Sequence, residues 1–163
     1  MQTSTFHEIS PAFLRIVGEV VWATVATVDT RGRPRTRVLH PYWEVVDGVP
    51  TGWIGTSKSP LKTSHLAANP YVSVSYWSPR QETVYADCRA EWADDERERV
   101  WQLYLDADPP LGYDPATMPP FRDGPLGGGF AALRLDPWRI TVLTAEAAAA
   151  GRFYDAIWTS GER

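Results

Sequence analysis

What this chain lacks narrows what it can do. It has one cysteine in 163 residues, Cys88. No disulfide can form within the chain, and that economy suits a reducing compartment. Cys88 lies in an alternating strand pattern and reads as a small packed residue rather than a nucleophile. The three histidines are His7, His40 and His65, and no metal site is expected from them. No apolar run approaches the length of a membrane span. The start, "MQTSTFHEIS", has neither a basic opening nor a long apolar core, so it is not read as a signal peptide. A cytoplasmic protein, with no membrane partner, is the expectation. Basic residues are not in excess either. A net charge of −4 argues against a nucleic-acid binder.

What is present describes a globular chain. It is 44% hydrophobic and 22% charged, and its length fits one domain spanning 1–163. Eight tryptophans are a high number for this size. Tryptophan is costly to leave wet and often lines interfaces or pockets for flat ligands. Core and dimer packing account for most of them.

The local signals alternate between two periods. "SPAFLRIVGEV" opens with Ser10 before Pro11, a cap followed by a first-turn proline, and predicts a helix over about 8–19. From Ala23 the period changes to that of a strand. "DTRGR" is a turn, the run around Thr36 and Val38 is the return strand, and "VDG" is a second hairpin turn. "VPTGWIGT" is a third strand. "SPLKTSHLAANP" is a short helix opened by Ser59-Pro60 and stopped by Asn69-Pro70. Strands follow at "YVSVSYW" and "TVYADCRAEWA", then a helix in "DDERERVWQLYLDA" with acidic residues in its first turn. The segment of about 106–129 is rich in proline and glycine and predicts an ordered loop or lid. "FAALRLDPWRITVL" is a sixth strand, kinked at "DPW", and the tail begins with an alanine-rich helical signal. Six strands in near-meander order, with a helix crossing between the third and fourth, predict a mainly β fold: a closed barrel with flanking helices. An open α+β sandwich is the alternative.

The corner after the third strand carries the chemistry. Five hydroxyl residues and two lysines fall between Thr56 and Ser64. Thr56, Ser57 and Ser59 offer hydroxyls, the helix offers unpaired first-turn amides, and Lys58 and Lys62 add charge. That set suits a phosphate or carboxylate, although a plain capped helix with solvated lysines has the same composition. Ser59 and Lys62 also have the Ser-x-x-Lys spacing of some hydrolases, but the other motifs of that class are missing. Arg35 and Arg37 share one face of the return strand, where they can join an anion site or face solvent. "GPLGGGF" lacks the Lys-Ser/Thr of a phosphate loop and is not read as one.

The stretches "ATVATVDTRGRPRTRVLHPYW" (with its D-x-x-G-x-P turn), "IGTSKSPLKTSHLAANPYVSVSYW" and "TVYADCRAEWADDERERVWQLY", in that order, resemble the pyridoxamine 5′-phosphate oxidase-like superfamily of flavin-binding split barrels. The resemblance covers roughly 20–105. It implies a six-stranded split barrel, a homodimer and FMN held at the subunit interface, or F420 in one branch. It implies that Arg37, Val38, Leu39 and His40 form the strand along the flavin. Thr56 and Ser57 match the hydroxyl pair beside its phosphate. Lys62 matches the second of two basic phosphate ligands. The first falls on Leu61, a departure for which Lys58 can substitute. Thr83 falls where the oxidases place a glutamine reaching flavin from the partner chain, and Trp158 loosely matches a C-terminal aromatic. The oxidases' C-terminal Arg-x-His substrate motif is absent from "GRFYDAIWTSGER", which argues against vitamin B6 oxidation.

The expected function is thus an FMN-dependent oxidoreductase acting on a small organic molecule. An F420-dependent reductase is the first alternative, with Arg31, Arg33, Arg35, Arg37, Lys58 and Lys62 as a basic groove for an acidic tail. A non-catalytic flavin or haem binder, with His7, His40 or His65 as the haem ligand, is the second. A dimer that has lost its cofactor is a third. The flavin ring carries the redox chemistry, so no dedicated catalytic acid or base is required, and His40 is a weak candidate for one.

Overall fold

The structure, a computed structural model, describes residues 4–161. The single-domain reading of 1–163 also takes in 1–3 and 162–163, which lie outside the described residues.

Helix α1 (Phe6–Val20) starts before the predicted Ser10-Pro11 signal. Thr5 is its cap. The Thr5 hydroxyl accepts from the Glu8 amide at 3.4 Å, and the Glu8 carboxylate accepts from the Thr5 amide at 2.6 Å, a reciprocal capping box. Pro11 lies inside the helix and cannot donate to the His7 carbonyl four residues back. The Ser10 hydroxyl donates to that carbonyl instead, at 3.1 Å. The Ser-Pro pair is thus an internal repair rather than a start. Phe6, Ile9, Phe13, Ile16 and Val17 form the buried stripe.

The strands are β1 (Ala23–Val28), β2 (Pro34–Leu39), β3 (Pro41–Val46), β4 (Val49–Thr56), β5 (Tyr71–Trp77), β6 (Thr83–Trp92), β7 (Ala131–Leu143) and β8 (Ala156–Thr159). Helices α2 (Pro60–Ala68), α3 (Arg97–Asp106) and α4 (Ala145–Ala149) complete the regular elements apart from short 3-10 turns. The sheet runs β2-β1-β5-β6-β7-β4-β3, with β8 also on β7, and every ladder is antiparallel.

Eight strands replace the six read from the sequence, for two reasons. The return strand divides at His40. Before it, β2 pairs with β1 at one edge of the sheet; after it, β3 pairs with β4 at the other. One residue therefore carries the chain across the mouth of the curled sheet. Among the described residues no ladder joins β2 to β3, so the barrel is split and not closed. The second addition, β8, is four residues long and too short to stand out from its surroundings.

Turn chemistry sets the registers. Asp47 and Gly48 take φ of 53° and 78°, a two-residue turn that pairs Val46 with Val49. Across β6–β7, Asp87 faces Arg139 while Cys88 faces Pro137, so Trp138 is the extra residue of a bulge. That bulge is the predicted "DPW" kink.

One core lies under α1 and includes Phe13, Ile16, Val25, Val74, Val84 and Ile140. A second joins Trp53, Val100, Trp101, Tyr104, Phe121 and Phe130 beneath α3. The proline- and glycine-rich segment is ordered by this second core. It contains 3-10 turns at Pro115–Thr117 and Pro119–Phe121, and it buries Phe121 and Phe130. Gly55, near the end of β4, is required by the same packing. A Cβ there would sit 2.7 Å from the Phe130 ring.

Candidate functional site

The corner forms where β4 ends and α2 begins. Ser59 caps α2: its hydroxyl accepts from the Lys62 amide at 3.3 Å, Pro60 takes the first turn, and the helix stops at Asn69 before Pro70. Ser59 thus has a structural use for its hydroxyl. Lys62, His65 and Leu66 are the buried residues of the helix, three and four positions apart on one face.

Lys62 is only 7% exposed. Its Nζ donates to the Thr56 hydroxyl at 2.5 Å and to the Ser57 carbonyl at 3.0 Å. Burial, and secondarily the nearby charge of Arg37, push its pKa down to about 8. Arg37 projects from β2 toward the same place. Its Nη1 donates to the Thr27 hydroxyl at 2.8 Å, and its Nη2 lies 3.4 Å from Nδ1 of His65. Among the described residues neither cation pairs with a carboxylate; their partners are hydroxyls, a carbonyl and an imidazole. Two neighbouring cations with no carboxylate partner among the described residues form a site short of negative charge. A phosphate suits it.

Ser57 sits beside them, and its hydroxyl donates to the Gly129 carbonyl at 2.7 Å, tying the corner to the end of the long loop. Lys58 turns elsewhere. It pairs with Asp94 at 2.6 Å and lies over the Trp92 ring at 5.2 Å, so it faces the start of α3. The idea that Lys58 replaces the basic residue missing at Leu61 does not fit this placement, because its charge is already matched. Leu61 itself is exposed.

Along β2, Val38 is exposed and Leu39 packs partly against the main core. His40 is buried, with ring contacts to Trp22 at 5.1 Å, Tyr113 at 5.2 Å and Tyr104 at 5.3 Å. Its Nε2 has no hydrogen-bond partner. Burial holds its pKa below the usual histidine value, and the Leu111 backbone acts the other way. The Tyr104 hydroxyl donates to the His40 carbonyl at 2.6 Å and receives the Gly55 amide at 3.2 Å, which pins the strand junction to the end of β4. Thr83 lies on β6 opposite Trp77 and Leu143. Trp158, on β8, packs edge-on against Phe6 of α1 with centroids 5.5 Å apart.

The structure therefore brings Arg37, Thr56, Ser57 and Lys62 together, turns the Lys58 side chain away to Asp94, and has Thr83 and Trp158 on other elements. It also adds two residues that the sequence reading missed. His65, read from the sequence only as a haem-ligand candidate, is 2% exposed, and its Nδ1 lies 3.1 Å from the Thr27 hydroxyl. The available signal was its place three residues after Lys62, on the same face of the helix. Thr27 gave no signal beyond strand alternation.

A split antiparallel barrel with an anion-seeking corner at a strand–helix junction is the class that these features define. Residues 9–142 match the family model for pyridoxamine 5′-phosphate oxidase, and the chain belongs to that family. Solved structures agree with the fold. A pyridoxamine 5′-phosphate oxidase-related, FMN binding protein from Nostoc punctiforme superposes with a TM-score of 0.59 at 17% identity, covering 86% of this chain and 83% of that one. An F420 reductase gives 0.54 at 17% identity, covering 78% and 94%. A heme binding protein from Mycobacterium smegmatis gives 0.57 at 21% identity, covering 92% of this chain and 62% of that one. No curated protein matches the chain.

Proposed function

We propose that this protein binds FMN between two copies of itself and passes hydride or electrons to or from a small organic molecule. The observation that carries the proposal is the pair of buried or half-buried cations, Lys62 and Arg37, held by neutral groups alone. They would hold the phosphate, with Thr56 and Ser57 beside it. The flavin supplies the redox chemistry when bound. The chain orients it through the β2 backbone from Arg37 to His40, and the rings of Tyr104 and Tyr113 keep water from the His40 junction.

The outer face of the sheet supports a second copy. Val38, Thr24, Ser75 and Tyr85 are successive cross-strand neighbours over β2, β1, β5 and β6, and Val38 and Tyr85 are exposed. Trp77 is exposed too, and its register partner is Thr83. Exposed Val38, Tyr85 and Trp77, set among small hydroxyl side chains, suit a partner surface. Thr83 would then face the partner's flavin. Among the described residues no helix is long and apolar enough to cross a membrane. The single cysteine suits a reducing compartment, and on that ground we assign the protein to the cytoplasm.

F420 is the second reading, and the likeness to an F420 reductase keeps it in view. The basic groove it would use is thinner than the sequence suggested. Arg33 pairs with Asp29 at 2.8 Å and Lys58 pairs with Asp94. Removing these two from the groove favours a compact phosphate over a long acidic tail. For haem, His65 is already bound to Thr27 and Arg37, and His40 is enclosed by three rings.

The test is FMN affinity in Lys62→Ala and Arg37→Ala. Each removes a charge-assisted hydrogen bond of about 1.5–3 kcal/mol, a Kd increase of roughly 10- to 150-fold. Unchanged affinity in both variants would mean that the phosphate is elsewhere.

A further inference from the structure

We infer that His65 is the residue that positions Arg37 for its anion, and that its value lies in anchoring a cation without neutralising it. The inference rests on the phosphate corner proposed above.

The geometry is a closed triangle. Arg37 Nη1 donates to the Thr27 hydroxyl at 2.8 Å, that hydroxyl lies 3.1 Å from His65 Nδ1, and Arg37 Nη2 lies 3.4 Å from the same nitrogen. A guanidinium only donates hydrogen bonds. For Arg37 to bond to it, Nδ1 presents its lone pair, and the ring proton sits on Nε2. Two of the five guanidinium N–H groups are engaged in this way, and the others have no hydrogen-bond partner among the described residues.

The helix does this twice. Lys62 of α2 bonds to Thr56 and Ser57 at the end of β4. One turn later, His65 bonds to Thr27 of β1 and meets Arg37 of β2. In the sheet, β2-β1 and β4 are separated by β5, β6 and β7. A single face of α2 thus spans the split in the barrel and fixes both cations relative to one another.

The choice of histidine follows from the charge. An aspartate at this place would also fix the guanidinium, but it would cancel the charge and repel a phosphate that carries about −1.5 to −2 at neutral pH. A neutral acceptor fixes the geometry and leaves the charge for the ligand. A leucine would leave Arg37 held by Thr27 alone.

The experiment measures Kd for FMN and for riboflavin, which lacks the phosphate, in the parent chain and in His65→Leu, His65→Asn and His65→Asp. The parent should favour FMN over riboflavin by at least about tenfold, the lower end expected for a charge-assisted contact. His65→Leu should bind FMN roughly tenfold more weakly, with riboflavin unchanged. His65→Asn, which keeps a neutral acceptor, should recover FMN binding to within about threefold, and His65→Asp should not, although it too can anchor Arg37. A parent that does not distinguish FMN from riboflavin overturns the phosphate corner, and this inference with it. A parent that distinguishes them, with the same preference retained in His65→Leu, overturns the role of His65 alone. Where His65→Leu does not fold, the Asn and Asp variants decide: equal FMN affinity in those two refutes the argument from charge.

Discussion

Replacing Lys62 with methionine should make the ligand-free protein more stable while weakening its hold on FMN. Methionine keeps most of the volume and removes the charge. The buried amine titrates near 8 instead of its ordinary 10.5, so carrying its proton at neutral pH costs the folded state about 3 kcal/mol. Against that gain, the Thr56 hydroxyl and the Ser57 carbonyl lose their donor, at about 1–2 kcal/mol together. The balance is a stabilisation of about 1–2 kcal/mol, or a rise in melting temperature of about 2–8 °C for a chain of this length. The pH dependence carries the sign. The folded value lies below the unfolded one, so the penalty is complete below about 8 and is relieved as pH rises toward 10.5. Across that window the parent should gain stability relative to Lys62→Met and overtake it, because the penalty is relieved while the bonds to Thr56 and Ser57 remain. The assay is thermal unfolding without ligand at a series of pH values, alongside an FMN titration. A variant that melts below the parent at neutral pH and binds FMN equally well would refute the reasoning.

Other parts of the molecule make independent predictions. Glu82 is buried and paired with Arg15 at 2.7 Å and Arg80 at 2.9 Å; the Arg15 hydrogen bond is the main cause that holds its pKa at about 2. Its contribution is present above the ordinary 4.5 and is lost as pH falls toward 2, so Glu82→Gln should lower stability by about 2 kcal/mol at neutral pH and flatten the acid limb of the unfolding curve. Gly55→Ala places a Cβ 2.7 Å from the Phe130 ring and should cost about 1–3 kcal/mol, measured by denaturant unfolding. Cys88 is fully buried, and burial pushes its thiol well up. It should resist thiol reagents at neutral pH until the chain unfolds; rapid labelling of the native protein would contradict that packing.

Local chemistry explains which features were legible in the sequence. Helix α2 was readable because Ser59, Pro60, Asn69 and Pro70 act on their own neighbours. The Asp47-Gly48 turn and the Trp138 bulge were readable for the same reason. Ser10-Pro11 misled because the pair that opens many helices here fills a carbonyl inside one. The division at His40 left no local trace. The chain stays extended on both sides, and only the identity of the pairing partner changes. The site divides along the same line. The approach of Lys62 and Arg37 was expected from motif position, whereas the pairing of Lys58 with Asp94 and the contacts among Thr27, His65 and Arg37 depend on distant segments coming together.

The most direct test of the central claim is the visible absorption spectrum of the purified protein after incubation with FMN, and separately with F420, followed by desalting. The account predicts that FMN is retained with a perturbed flavin spectrum and that Lys62→Ala loses it. Retention of F420 alone, of a haem band, or of neither cofactor would contradict the assignment of the Lys62–Arg37 corner to FMN.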